Sequence, residues 1–137
     1  MIALAKQSGL AWPTFSVDTS AGSPTDIRND ITNFSLATPR GVQDVTGIDK
    51  SAMERLLLLA DASVTLNGVF NAALSHTVFR TVPSTSVLRT VSTAIASQTL
   101  AMEMLFTDYA PTRGADGAFT WTSPGVLADG TVPTWGP

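Results

Sequence analysis

The chain has 137 residues, of which 44% are hydrophobic and none is cysteine, so one domain can bury a core without disulfides, and thiolate chemistry is excluded. The net charge of −3 argues against binding to phosphate backbones. Only 14% of the residues are charged, against roughly 25% in ordinary soluble domains, which suggests that much of the surface meets other protein; compositional drift is the alternative.

The first third of the chain predicts short strands separated by turns. Phe15 and Val17 alternate with polar residues, and residues 19–25 are rich in turn formers. Residues 31–37 predict a second strand. Pro39 then breaks the chain before a short extended piece at residues 42–46.

One helix is predicted, over residues 51–60. Ser51 and Glu54 match the spacing of a capping box. Four apolar residues then share one face at helical spacing, namely Met53, Leu56, Leu57 and Ala60. We therefore expect this face to pack onto the sheet.

No segment predicts a membrane span or a secretion signal. The dense apolar run at residues 56–60 is far shorter than the roughly 18 residues of a membrane helix. Residues 1–5 lack the basic flank and the length of a signal peptide. We therefore expect a cytosolic, soluble product.

The second half of the chain alternates most clearly. Residues 62–70 place apolar side chains at every second position, which predicts a half-buried strand. Residues 75–81 predict either a short helix or a loop, and residues 86–95 a strand. The segment 98–108 predicts a long strand with one apolar face and one mixed face: Leu100, Met102, Met104 and Phe106, opposite Ala101, Glu103, Leu105 and Thr107.

Gly114 and Gly117 supply the turn of a β-hairpin that returns through residues 118–122. The remainder, residues 123–137, is rich in Pro and Gly and predicts an extended arm with room for one short strand. Together these elements predict a mainly β fold, a β-sandwich or open barrel with one flanking α-helix, as a single domain over residues 1–137 with extended terminal arms.

Residues suited to catalysis or ligand binding are sparse. His76 is the single histidine, and no nucleophile elbow accompanies it, so we interpret it as structural. No metal or cofactor is predicted, because the chain lacks cysteine and any calcium-loop pattern. Four acidic residues are interpreted as solvated loop residues or caps: Asp26, Asp30, Asp44 and Asp49. The tryptophans are interpreted as core or interface residues rather than base-stacking ones: Trp12, Trp121 and Trp135.

Seven segments stand in order along residues 25–135: DVTGIDKSAMERLL at 44–57, DASVTLNGVFN at 61–71, FRTV at 79–82, LFTDY at 105–109, RGADG at 113–117, Trp121, and DGTVPTW at 129–135. Their order and spacing resemble the short major tail proteins of long, non-contractile phage tails. Gene transfer agents, which are domesticated phage particles, carry similar proteins.

The resemblance implies that about six copies close a ring and that rings stack into a tube that conducts DNA. The expected partners are other copies of the chain, a tape-measure protein and other tail proteins, with DNA passing without specific binding. The expected location is a virion tail assembled in the bacterial cytoplasm. The alternatives are another ring-forming tail component, such as a terminator or adaptor, and a β-sandwich carbohydrate-binding module or enzyme.

In such a tube, free sheet edges join neighbouring subunits, and loops bridge successive rings. The candidate bridges are residues 19–25, 38–48 and 123–137. The expected inter-subunit contacts are Thr38, Pro39, Arg40, Gly41, Asp44, Thr131 and Trp135. A positive lumen would hold phosphates, so we expect a neutral to negative wall, with Glu103 and Thr107 facing it.

Overall fold

The protein is described by a computed structural model over residues 6–137; the expectation about residues 1–5 lies outside this part of the chain. Its elements in chain order are β1 (Thr14–Asp18), β2 (Pro24–Asp26), β3 (Ile31–Ala37), β4 (Arg40–Asp44), β5 (Arg55–Ala60), β6 (Ser63–Val69), α1 (Ser75–Phe79), β7 (Arg89–Ile95), β8 (Gln98–Phe106), β9 (Ala110–Arg113) and β10 (Phe119–Leu127).

Eight of these strands form one antiparallel sheet, and β4 and β5 form a separate two-stranded ribbon. The sheet runs β2-β1-β7-β8-β10-β6-β3, and β9 pairs with the first half of β10. The sheet is bent so that its two ends approach each other. The ring of Phe34 on β3 lies 4.9 Å from that of Phe15 on β1 and 5.0 Å from that of Trp12. Within residues 6–137 no backbone ladder joins β1 to β3, so the sheet stays open. The predicted mainly β fold with one helix is confirmed.

The bent sheet encloses the core. Buried and outward-facing side chains alternate along its strands, and the buried ones fill the core. β6 buries Val64 and Leu66, and β8 buries all four residues of its predicted apolar face. Trp121 of β10 lies at the centre, with its indole nitrogen donating to the Val69 carbonyl at 3.0 Å. A Cβ on Gly68 would lie 2.6 Å from the Trp121 ring, so this position in β6 requires glycine.

The predicted helix over residues 51–60 is wrong. Residues 55–60 form β5 instead, and the Leu56 and Leu57 side chains are 56% and 62% exposed rather than packed on the sheet. The Glu54 amide donates to the Thr46 hydroxyl and the Glu54 carbonyl accepts from Val45, so both pair across the ribbon. Pairing with the preceding strand, β4, overrides a helical spacing that spans barely two turns.

The observed helix, α1, lies in the segment for which the sequence predicted either a short helix or a loop. Two buried charged residues hold it in place. The Asp30 carboxylate, 5% exposed, accepts from the Ser75 amide at 3.0 Å and from Asn71 Nδ2 at 3.1 Å. Asp30 is therefore not a solvated loop residue, as the sequence suggested. Arg89, 1% exposed, donates to the carbonyls of Asp18 and Val78 and to the Thr81 hydroxyl.

The predicted hairpin around Gly114 and Gly117 is confirmed as the β9–β10 turn. The predicted arm, however, starts later than expected, because β10 continues through Pro124 and Gly125 to Leu127. Proline is accommodated there since its carbonyl accepts from the Thr107 amide at 3.1 Å and it has no amide to satisfy.

Candidate assembly interface

The β4–β5 ribbon continues the β3–β6 hairpin outward. The β3–β6 ladder ends at Ala37 and Ser63, and after two residues on each strand pairing resumes between Arg40 and Ala60. One backbone hydrogen bond of 3.1 Å, to the Pro39 carbonyl, crosses the interruption. At about 3.3 Å per residue, the ribbon projects roughly 25 Å from its base to its tip.

The ribbon is ordered by its own hydrogen bonds. Arg40 donates through Nε and Nη2 to the Leu58 carbonyl at 3.0 and 2.8 Å, which fixes the base. Near the tip, the hydroxyl and the amide of Thr46 donate to Asp44 Oδ1 at 2.6 and 3.0 Å. These two hydrogen bonds, that of the hydroxyl more than that of the amide, hold the pKa of Asp44 below its usual value.

Large apolar side chains on this ribbon are exposed to an unusual degree. Leu59 is 92% exposed and Ile48 at the tip is fully exposed, and six more are at least two-fifths exposed: Val42, Val45, Met53, Leu56, Leu57 and Leu58. Contiguous exposed apolar surface of this kind is typical of sites that contact another protein, a membrane or a ligand. Within residues 6–137, no other segment concentrates exposed large apolar side chains to this degree.

The structure places the five predicted contact residues of residues 38–48 together at this site. Thr38 and Pro39 lie at the base of the ribbon, and Arg40, Gly41 and Asp44 lie on β4, all of them exposed. Their role in subunit contacts stays a prediction. Sequence reasoning missed β5, which carries most of the apolar surface; the four consecutive leucines at 56–59 are the signal that could have found it.

The two predicted contacts in the C-terminal segment lie along the open side of β8. Gly136 forms a two-bond bridge with Thr99, at 2.7 and 2.9 Å, and the Ala128 amide donates to the Glu103 carbonyl. Between these points the segment keeps Thr131 exposed and leaves Trp135 51% exposed. The indole of Trp135 is therefore available for contact with another molecule.

The predicted lumen residues lie on the outer face of the sheet. Glu103 is half-buried and accepts a short hydrogen bond from the Thr90 hydroxyl. Together with Thr131 it lines a small surface pocket of about 110 Å³. Thr107 is exposed just beyond the end of β8. The structure thus brings one predicted lumen residue and one predicted contact residue to the same place.

The outer face of the four central strands is almost free of charge. Across β6, β7, β8 and β10 the charged residues are Arg89 and Glu103, and Arg89 points into the core. The remaining outward positions are mostly Ser, Thr, Ala and Asn. This face therefore carries one carboxylate per chain and no cation on these strands.

A groove of about 660 Å³ lies between the two ends of the bent sheet. Trp12, Ile31 and Phe34 supply its apolar lining, and Arg28 borders it in an ion pair with Asp26 at 3.1 Å. Its lining holds no histidine, and its one ionisable side chain is Arg28. The groove lies beside the β3 edge, where the strand's outer backbone groups are unpaired within residues 6–137.

His76 belongs to an aromatic cluster rather than to a catalytic arrangement. Its Nδ1 lies 3.2 Å from the Tyr109 hydroxyl, and its ring packs 4.8 Å from Phe70. Burial raises the pKa of Tyr109. Ser75, its neighbour in sequence, is fully buried and has no hydrogen-bond partner for its hydroxyl in the part of the chain described. Over residues 6–137, no cluster of three or more His, Asp or Glu is placed to hold a metal, and no helix is long and apolar enough to cross a membrane.

Two solved structures share the fold over nearly the whole chain. A chain from the virion of a native gene transfer agent (GTA) particle superposes with a TM-score of 0.71 and 15% sequence identity. A chain from the tail of an empty GTA particle, obtained by helical refinement with C6 symmetry, gives 0.70 and 16%. Each likeness covers 96% of this chain and 100% of the other. No family model and no curated protein matches the sequence. The resemblance suggested by the sequence is thus confirmed at the level of the fold.

Proposed function

We propose that this chain is the tube subunit of a phage-like tail, closing into rings of six copies that stack into a tube for DNA delivery. The observation that carries the proposal is the projecting ribbon, whose large apolar side chains lie open to solvent in the single chain. The shared fold with chains of GTA particles, one of them from a tail with C6 symmetry, supports the same assignment.

The ribbon fits the role of a connection between successive rings. Burying an exposed leucine gains about 1.5–3 kcal/mol, so even partial burial of several side chains supplies a useful share of an association energy. A monomer gains nothing from exposing them. The ribbon also projects far enough to leave its own domain, as an axial contact requires.

Ring closure uses other parts of the molecule. The sheet ends in β2 and β3, and the outer sides of both strands are unpaired within residues 6–137. Such edges can pair with those of a neighbouring copy, and head-to-tail contacts with rotational closure make rings. The C-terminal segment, with Thr131 and Trp135 exposed, supplies a further contact between subunits.

The outer face of β6, β7, β8 and β10 suits a wall past which DNA moves. A single carboxylate per chain, Glu103, and many uncharged polar groups give neutral to negative potential, which does not retain phosphates by counterion release. We therefore place Glu103 and Thr107 toward the lumen. Tape-measure and other tail proteins are the expected partners of the completed tube.

Purified protein tests the proposal directly. Electron microscopy across a concentration series should reveal stacked rings, and a map of them should place Glu103 at the inner wall. A lumen lined mainly by Arg28, Arg40 or Arg113 without compensating acids would contradict the proposed wall. Single isolated rings would instead favour a terminator or adaptor, and a stable monomer that binds a glycan would favour a carbohydrate-binding module or enzyme.

A truncation of the ribbon separates ring closure from stacking. Replacing residues 43–56 by Asn-Gly keeps Val42 and Leu57 as a closing pair over a two-residue turn. We expect a folded protein that no longer stacks. Tubes of normal length from this variant would overturn the assignment of the ribbon.

A further inference from the structure

The groove between the two ends of the bent sheet runs along the edge of β3. Four consecutive residues of that strand line it, at positions 31–34. Successive side chains of a strand point to opposite faces, so a cavity that touches all four lies against the strand's edge rather than against one face. Within residues 6–137 this edge has no hydrogen-bonded neighbour. The groove therefore suits an extended segment of chain.

The lining of the groove selects an uncharged, apolar occupant. Trp12, Ile31 and Phe34 pack against the core, yet all three are only half-buried. The one ionisable group of the lining, the Arg28 guanidinium, is already engaged by the Asp26 carboxylate and the Pro13 carbonyl. A charged ligand would lose its hydration here without gaining an unengaged partner of opposite charge.

The chain itself carries a segment of this kind beside the groove. Residues 1–5 read Met-Ile-Ala-Leu-Ala and hold no charged or polar side chain. The chain turns at Ala11, whose φ of 51° lies in the left-handed region, and Gly9 on the upstream side of the turn still lines the groove. Residue 5 is four positions from Gly9, a span of at most about 13 Å. So short a tether gives the segment a high effective concentration at the groove.

We propose that, in the free subunit, residues 1–5 of the same chain lie extended in this groove and shield the β3 edge until a ring closes. In an extended segment Ile2 and Leu4 point to one side, which faces the apolar lining, and Ala3 and Ala5 point to the other. The shielding role rests on the proposed function, in which the β3 edge pairs with a neighbouring copy. An unpaired edge is a template for uncontrolled pairing, and a short segment covers it while staying easy to displace.

The absence of cysteine makes the location of the segment directly testable, since any thiols introduced are the ones that react. The variant Ala3→Cys/Asn29→Cys keeps both apolar side chains of the segment and places the second thiol on the lining. Ala3→Cys/Ser20→Cys is the matched control, because Ser20 is also exposed on a loop but does not line the groove. A short bismaleimide is added to dissociated subunits, and mass spectrometry follows the products.

We expect a cross-link within one chain that forms at least about tenfold faster to position 29 than to position 20. Equal rates at the two positions would overturn the proposal. A cross-linked dimer would also overturn it, because the segment would then lie in the groove of another copy.

Two aspartate variants test the shielding. Ile2→Asp/Leu4→Asp turns carboxylates toward the apolar lining, so the segment should leave the groove. Ala3→Asp/Ala5→Asp adds the same charge at the alternate positions and is the matched control. Only subunits with an open edge close rings, so the first variant should form tubes at a concentration about three- to tenfold lower than the parent, and the control should not.

An unchanged threshold in Ile2→Asp/Leu4→Asp would overturn the shielding role, as would an equal fall in both variants. If the parent protein never forms tubes under any condition, the proposed function fails and the shielding role fails with it. The cross-link in dissociated subunits still decides, in that case, whether the segment lies in the groove.

Discussion

The sharpest consequence of the exposed ribbon concerns the double variant Leu57→Ala/Leu59→Ala. Truncating a fully buried leucine to alanine loses roughly 2 kcal/mol of transfer energy. Scaled by the exposed fractions of 62% and 92%, which are what an interface can newly bury, the pair loses about 3 kcal/mol per subunit contact. That corresponds to an increase of roughly 100-fold in the concentration at which tubes form.

Sedimentation of tubes over a concentration series measures this shift, and denaturant unfolding of the subunit measures stability. The free energy of unfolding should change by less than about 0.5 kcal/mol, since both side chains are solvated in the subunit. Leu66→Ala is the matched control: Leu66 is fully buried on β6, so about 2–5 kcal/mol of stability should be lost. An unchanged assembly threshold in a folded double variant would refute the reasoning.

Three further outcomes are expected. Thr46→Val removes the hydroxyl that lowers the pKa of Asp44 most, while the amide at that position still donates to the carboxylate. In the parent, the ionised carboxylate stabilises the turn fully above its ordinary pKa of 3.8, and the turn loosens as the pH falls through the lower pKa of the folded protein. The acid-dependent step in amide exchange at the tip should therefore be smaller in the variant and lie at higher pH. Arg89→Met leaves two carbonyls and a hydroxyl without their donor, and should lower the free energy of unfolding by about 2–5 kcal/mol in denaturant titrations. His76→Asn should leave assembly and gene delivery nearly unchanged in particle assays, because His76 contacts an aromatic cluster; a folded, assembled variant that fails to deliver would reopen an enzymatic role.

Strands with strict alternation could be predicted from the sequence because their burial pattern is local. In β6 and β8 the residues predicted to face the core are the buried ones, as Val64 and Leu66 show in β6 and Met104 and Phe106 in β8. β5 could not be predicted in this way, because four consecutive leucines carry no period and the flanking Ser51 and Glu54 mimic a helix cap. What decides its state is pairing with β4, which local sequence does not encode.

The buried charges escaped prediction for a related reason. Asp30 and Arg89 look like surface residues, since charged groups are rarely buried without partners. Their partners are backbone and side-chain groups up to 71 positions away, such as the Asp18 carbonyl for Arg89. The short extended piece at residues 42–46 could be predicted because Pro39 and Gly41 mark a break in the strand pattern, yet its partner strand, β5, was assigned to a helix.

The continuity of the β3–β6 hairpin with its ribbon has a mechanical consequence. A pull along the ribbon runs parallel to both strands and perpendicular to the hydrogen bonds that join them, so the bonds of the β3–β6 ladder resist together in shear. A sideways push meets the interruption between Ala37 and Arg40, where a single 3.1 Å backbone bond spans the gap. The ribbon is thus stiff in tension and compliant in bending, as a tether requires when it links bodies that tilt against each other without separating.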